Sequence, residues 1–303
     1  MNGLLIIDKP AGMTSHDVVY RVRKRVRVER VGHTGTLDPF ATGVLPLCLG
    51  KATRLASLLT LEDKVYQATL TLGKTTDTLD RDGALLEERP VDPSLDEARV
   101  EAAMQPFRGE ILQRPPMYSA VKVGGKRLYE YARAGEEVAR AERPVTIYRL
   151  TLLSLSLPEL RFEVHCSKGT YVRVLAAELG EALGCGGHLT ELRRTQTGRF
   201  DLQHAVKLDE LEGLVHEARL GEHIQPMTQL LPDVPSLSLT PAQAGRVRHG
   251  NPFTVRRSDR NANELPEEGL LQLLLDGELL ALAELVSLDG QLQVRPKAVL
   301  TDG

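Results

Sequence analysis

Tryptophan is absent from this 303-residue chain, and seven tyrosines and five phenylalanines leave it only 4% aromatic. So few rings exclude a broad platform on which a run of bases could stack. Cysteine is scarce too: Cys48, Cys166 and Cys185 lie far apart without a C-x-x-C pair, which excludes a disulfide scaffold and a cysteine zinc site. A reducing cytoplasm is the compartment this cysteine usage suggests. Long apolar runs are missing. The leucine-rich stretch from Leu270 to Val286 is broken by Asp276, Glu278 and Glu284, whereas a bilayer span needs about 20 mostly apolar residues. The opening MNGLLIIDKP lacks the basic start and long apolar run of a secretory signal, so no membrane role is expected.

A surplus of one charge is also lacking, since 38 basic and 41 acidic residues leave a net −3. That balance argues only weakly against nucleic acid, because the charge is unevenly spread. Met1 to Thr60 holds nine Lys/Arg against four Asp/Glu, a local +5, whereas Ser236 to Gly303 holds seven against nine, a local −2. Most of the N-terminal surplus is the run Arg21, Arg23, Lys24, Arg25, Arg27 and Arg30, which is either an ordinary solvated helix face or a phosphate-binding one.

Gly3 to Asp8 reads as a buried strand closed by Lys9-Pro10 and a turn at Gly12. Thr14 is expected to cap a helix, with Asp17 completing a capping box and Val18, Val19, Val22 and Val26 at helical spacing. A Gly- and Thr-rich loop from Gly32 to Gly43 precedes the apolar run Val44 to Leu49. Lys64 to Leu72 alternates as a half-buried strand does. Ser94 with Glu97 predicts another helix start, strands are predicted over Val145–Leu157 and Leu160–Cys166, and a helix over Thr170–Leu183 ending at Gly184. Residues 113–145 form a basic, Tyr-containing excursion with a Gly124-Gly125 turn. Pro232 and Pro235 mark the expected boundary between residues 1–232 and a small strand-rich module of residues 236–303. Strands and helices without regular βαβ alternation indicate an α+β fold.

Several motifs fail. Gly73-Lys74-Thr75 ends like a phosphate loop, but Ala68 stands where that loop needs glycine. Thr78 to Gly83 resembles a calcium loop, yet Thr78 is the wrong first ligand and Arg89 occupies the twelfth position, so it is read as a charged surface turn. The eight histidines show no H-x-x-x-H or H-x-E spacing, and no metal is expected. What stands out is GHTGTLDPFATG, Gly32 to Gly43. Its glycines permit close backbone approach, and Pro39 pushes Asp38 into an extended conformation, presenting one carboxylate on a stiff backbone. An Asx turn, with Asp38 bonded into its own loop, would account for the same residue.

The longer segment GHTGTLDPFATGVLPLCLGKATR resembles the catalytic-aspartate motif of the TruB family of tRNA pseudouridine synthases. Four further segments agree in order. LLIIDKPAGMTSHDVV is similar to that family's N-terminal motif, KVYQATLTLGKTTDTLDRDG to its tyrosine motif, SKGTYVRVLAAELG to its Tyr-x-Arg motif and GGHLTELRRTQTGRF to its Leu-Arg-Arg motif. LSLTPAQAGRVRHGNPF with LLALAELVSLDGQLQVRPKAVL looks like a PUA domain, a small β-barrel that binds RNA. The resemblance therefore implies a pseudouridine synthase fold, a mixed and mainly antiparallel sheet with flanking helices and loops, followed by a PUA-like barrel.

It implies roles as well. Asp38 matches the catalytic carboxylate, acting as a nucleophile at C1′ or as a base at C2′ on a glycal route. Arg173 matches its guanidinium partner, and Tyr66 the ring stacked on the target base. Leu192 matches an apolar contact to that base, and His33 the residue that fills the space left by flipped nucleotides. Tyr171 is a substrate contact or a packing residue. Lys9 is placed with the substrate-binding residues, touching phosphate or packing against the catalytic loop; the capping box alone explains Thr14. Residues 113–145 take the place of the family's RNA-gripping insertion.

The implied substrate is uridine 55 in the T-loop of tRNA, extruded from its stack before reaction. Isomerisation consumes no redox equivalent, so no cofactor is expected, and the family suggests a monomer without an obligate protein partner. Two rivals remain: a guide-RNA-dependent enzyme of the same family, and a noncatalytic RNA-binding or remodelling protein. The first typically carries Lys-rich extensions that this chain lacks, and joint retention of Asp38, Tyr66 and Arg173 argues against the second.

Overall fold

The computed structural model describes all residues except 61, 256–264, 289–290 and 301–303. An eleven-stranded sheet draws its strands from Gly3 to Gln225. Its main strands are β1 (Gly3–Lys9), β2 (Val31–His33), β3 (Thr42–Leu49), β4 (Lys64–Leu72), β5 (Gly109–Gln113), β6 (Arg143–Ser156), β7 (Glu159–Cys166) and β8 (Gly187–Thr197). Val206–Lys207 forms one edge, and the order continues β1, β3, β8, β4, β7, β6, β5. Pairing is antiparallel along this path except between β3 and β8 and between β1 and Val206–Lys207. The mixed, mainly antiparallel expectation holds.

Unbroken apolar runs in β1 and β3 follow from burial of both sheet faces. Leu5, Ile7, Leu45, Leu47 and Leu49 join one core with helices α1 (Ser15–Val26), α2 (Glu97–Met104) and α3 (Val172–Ala182). The alternate residues Leu4, Ile6, Val44 and Cys48 face a second core. That second core is completed by Leu279, Leu282 and Leu300, so the C-terminal strands pack directly on the back of the large sheet. They form a five-stranded sheet in the order Ser236–Ser238, Gly269–Leu275, Glu278–Leu288, Gln291–Val299, Phe253–Val255, with the helix Pro241–Arg248 alongside. No helix among the described residues is long and apolar enough to cross a membrane.

The Thr14–Asp17 capping box forms as expected. Ser94 does not cap α2. Its hydroxyl bonds Asp92, and Asp96, two residues nearer the helix, accepts from the Arg99 amide. The Gly32–Gly43 segment is not loop throughout, because Val31–His33 pairs with β3. Gly124 and Gly125, at φ 58° and 85°, close a hairpin between Lys122–Val123 and Lys126–Arg127, a backbone that favours glycine at both positions.

Candidate active site

The segment between β2 and β3 carries Asp38 and is fastened from beneath at several points. Lys9, fully buried at the end of β1, donates to the carbonyls of Pro10, Pro39 and Ala41 at 2.9, 3.2 and 2.7 Å. Those three acceptors use all three ammonium donors. The Ser15 hydroxyl, at the start of α1, accepts from the Leu37 amide at 2.9 Å and donates to the Leu37 carbonyl at 3.1 Å. Arg194 on β8 donates to the carbonyls of Val44 at 2.7 Å and Gly35 at 3.1 Å. β8 comes this close because position 43 is glycine: at φ +103°, a Cβ there would lie 2.1 Å from the Arg194 carbonyl oxygen.

Above this scaffold Asp38 faces Arg173, in the first turn of α3. The pair is bidentate, Nε to Oδ2 at 3.0 Å and Nη2 to Oδ1 at 3.1 Å. Arg173 is buried, and its remaining donors reach the carbonyls of Thr78 at 2.7 Å and Tyr118 at 2.9 Å and the Asp80 carboxylate at 3.4 Å. Asp38 keeps one-third of its side chain exposed, so the loop offers the anion while the arginine stays fixed.

Tyr66 on β4 and Leu192 on β8 lie beside each other on adjacent strands, Leu192 opposite Ala68 and Arg194 opposite Tyr66. With Asp38, Arg173, Tyr118 and Tyr171 they line a cleft of about 510 Å³, within the range of pockets for small molecules. Burial pushes the Tyr66 hydroxyl above its usual range. Tyr171 is steadied by Gln113, whose side chain accepts from its amide at 3.0 Å and donates to its carbonyl at 3.3 Å.

Five expected residues thus meet at one cleft: Asp38, Tyr66, Tyr171, Arg173 and Leu192. Two do not line it. Lys9 is directed beneath the Asp38 loop and has no exposed surface for phosphate, so its placement among substrate-binding residues gives way to the alternative that it packs against that loop. His33 lies on β2, its ring edge-on to His16 at 5.5 Å, and burial pulls it down to about 4, so the imidazole is neutral at physiological pH. Sequence reasoning missed Asp80. The Thr78–Gly83 turn is not a plain surface turn: it bridges to β8 at Leu189, and only 5% of Asp80 is exposed. It also missed Arg194, although the Leu-Arg-Arg segment was in view. Nothing local marks it: its chain neighbours are Arg193 and Thr195, and its acceptors Val44 and Gly35 lie 150 and 159 positions away. Among the described residues no three His, Cys, Asp or Glu side chains gather as a metal-binding group.

Known structures share this architecture. The chain superposes over 99% of its length on 85% of a chain from the crystal structure of a Cbf5–Nop10–Gar1 complex, with a TM-score of 0.71 and 27% identity. A chain from the structure of an H/ACA RNP bound to a substrate RNA containing 2′-deoxyuridine gives a TM-score of 0.70 at 25% identity, with 99% and 85% covered. The class is therefore that of pseudouridine synthases, with a PUA-like sheet at the C-terminus.

Sequence comparison narrows this. Residues 23–172 match the family model described as TruB family pseudouridylate synthase, N-terminal domain, and residues 173–232 match the tRNA pseudouridylate synthase B C-terminal domain. A tRNA pseudouridine synthase B of Burkholderia pseudomallei is 51% identical over 250 residues, 82% of each chain. One of Aromatoleum aromaticum is 46% identical over 301 residues, 99% of this chain and 93% of that one. The chain belongs to the TruB family.

Proposed function

We propose that this chain isomerises uridine 55 in the T-loop of tRNA to pseudouridine, as a monomer without an obligate protein partner and in the cytoplasm. Family membership and the tRNA pseudouridine synthase B relatives support the reaction and the tRNA substrate. The observation that carries the chemistry is the Asp38–Arg173 pair at the mouth of a cleft that also holds Tyr66.

The target nucleotide leaves its stack, at a cost of a few kcal/mol, and enters the cleft. His33, neutral and beside the catalytic loop, takes up space left in the RNA. Asp38 attacks C1′ or draws a proton from C2′; either step starts from a carboxylate whose negative charge Arg173 stabilises and orients. The N1–C1′ bond breaks, the uracil turns, and C5 bonds to C1′ as the Asp38–C1′ bond breaks or, on the glycal route, as the proton returns to C2′. The C5 proton leaves to solvent and N1, freed of the sugar, takes one up. Tyr66, its hydroxyl pushed up by burial, stacks on the base, while Leu192 and Tyr171 confine it. Residues 1–232 are assigned to catalysis, with 113–145 as an RNA-gripping insertion, and 236–303 to a PUA-like RNA contact.

Structural neighbours that work with Nop10 and Gar1 favour a guide-RNA-dependent reading, but they are 25–27% identical against 46–51% for the tRNA enzymes. Release of tritium from C5-labelled uridine in a T-stem-loop RNA, with no other protein present, separates the two. Wild type is expected to release it and Asp38→Asn to be slower by about a thousandfold or more. Undiminished release by Asp38→Asn overturns the mechanism, and release only with a guide RNA overturns the choice of branch.

A further inference from the structure

Helix α1 begins at the Asp38 loop, where Ser15 grips Leu37, and none of its residues lines the cleft. One side is spoken for: Val18 and Val22 are buried in the core beneath it. Another flank holds Arg25, paired with Glu212 at 3.7 Å. The remaining face carries His16, Tyr20, Arg23, Lys24 and, at its C-cap, Arg27, all exposed. At 100° per residue these five positions fall within a sector of about 100°, over roughly 16 Å of helix.

This face combines two features beside the Asp38 loop. Several arginines elsewhere have a carboxylate partner, as in Arg89–Glu181, Arg99–Asp92, Arg108–Glu101 and Arg219–Glu222. Arg23, Lys24 and Arg27 have none among the described residues, in a chain of net charge −3. It also pairs its cations with rings in a protein poor in them. Tyr20 is 57% exposed with the Arg23 guanidinium 6.0 Å from its ring centre, and His16 stands edge-on to His33 at 5.5 Å. Unpaired cations interleaved with exposed rings suit a polyanion that bears stackable bases.

We infer that the His16–Tyr20–Arg23–Lys24–Arg27 face of α1 is an RNA-binding surface that holds the strand flanking the target uridine. None of these residues lines the cleft, so the RNA they meet is neighbouring strand and not the reacting nucleotide. His16 joins the surface to His33, making the two rings one continuous contact from the helix to the catalytic loop. The identification of the polyanion as substrate RNA rests on the proposed function; the surface itself rests on its charge and rings.

The test uses the full chain, a T-stem-loop RNA and binding measured by fluorescence anisotropy across about 50–200 mM salt. Arg23→Gln/Lys24→Gln/Arg27→Gln is expected to weaken binding about tenfold and to lower the log–log salt slope by about 2, three contacts at roughly 0.7 each. His16→Ala/Tyr20→Ala is expected to weaken it about fivefold with the slope unchanged, because stacking releases no counterions. Single-turnover rates at saturating RNA should stay within about twofold of wild type. Unchanged affinity in either variant overturns the inference, as does a rate loss at saturating RNA with affinity intact. A wild type that binds this RNA yet forms no pseudouridine removes the proposed function and leaves the surface standing.

Discussion

The two sheets bury different things. Around the large sheet Lys9, Lys64, Asp80, Arg173 and Arg194 are all nearly removed from solvent, whereas from residue 236 onward the buried polar side chain among the described residues is Gln272. The C-terminal core is otherwise Leu, Val, Ala and Phe253. Burying an ion costs several kcal/mol unless partners answer it fully, and here they do: the five N–H donors of Arg173 meet Asp38, Asp80, Thr78 and Tyr118. A sheet proposed only to support the fold and contact RNA has no need of such groups. The catalytic sheet accepts them because a carboxylate held in one place must be held by something equally fixed.

Removing the central cation should therefore break the catalytic side hardest. Arg173→Met leaves Asp38 and Asp80 facing each other uncompensated and orphans two carbonyls. We expect a loss of about 3–5 kcal/mol in urea unfolding, together with at least a thousandfold loss of tritium release. Arg173→Lys restores the charge without the planar fork, so it should recover more stability than activity. Equal recovery of both would mean that the fork geometry plays no part.

That network also marks where sequence reading stopped. The Thr14–Asp17 box and the β4 alternation were legible because cap and period are local. Asp38 stood out through the motif that carries it, since Pro39 and the surrounding glycines set its backbone but left an Asx turn open. Asp80 was not: its burial comes from a bridge to Leu189 and a bond to an arginine 93 positions away. Lys9 left two alternatives open in sequence, and only folding, which brings Pro39 and Ala41 over its amine, separates them. Ser94 failed for a subtler reason, since Asp92 and Asp96 compete locally for the same turn and cap.

The buried amine of Lys9 gives the comparison a pH axis. Burial lowers it from 10.5 to about 8, partly offset by the nearby Asp38 charge. Between those values the unfolded chain binds more protons than the folded one, so this group makes stability rise with pH from about 8 to 10.5 and leaves it flat below. The full span is on the order of 3 kcal/mol at 1.36 kcal/mol per pH unit. Urea unfolding of wild type against Lys9→Met should show the difference between them growing across that window. A difference independent of pH would mean that the amine titrates normally and that the loop is not closed over it.

On the C-terminal side the single buried polar side chain among the described residues, Gln272, supplies the counterpart. Its amide donates to the carbonyls of Leu231 and Val234 at 3.0 Å each, tying the strand Gly269–Leu275 to the segment that leads in from the large sheet. Gln272→Leu keeps the volume nearly unchanged and removes both bonds, and should cost about 2 kcal/mol at about 1 per bond. Because no charge is stranded, the loss should be smaller than for Arg173→Met. Because neither carbonyl lies near the cleft, the single-turnover rate at saturating RNA should not change. A rate loss would show that the two sheets do not divide support from chemistry, and that strain at the junction reaches Asp38 through β1 and β3, the strands whose back faces the C-terminal leucines cover.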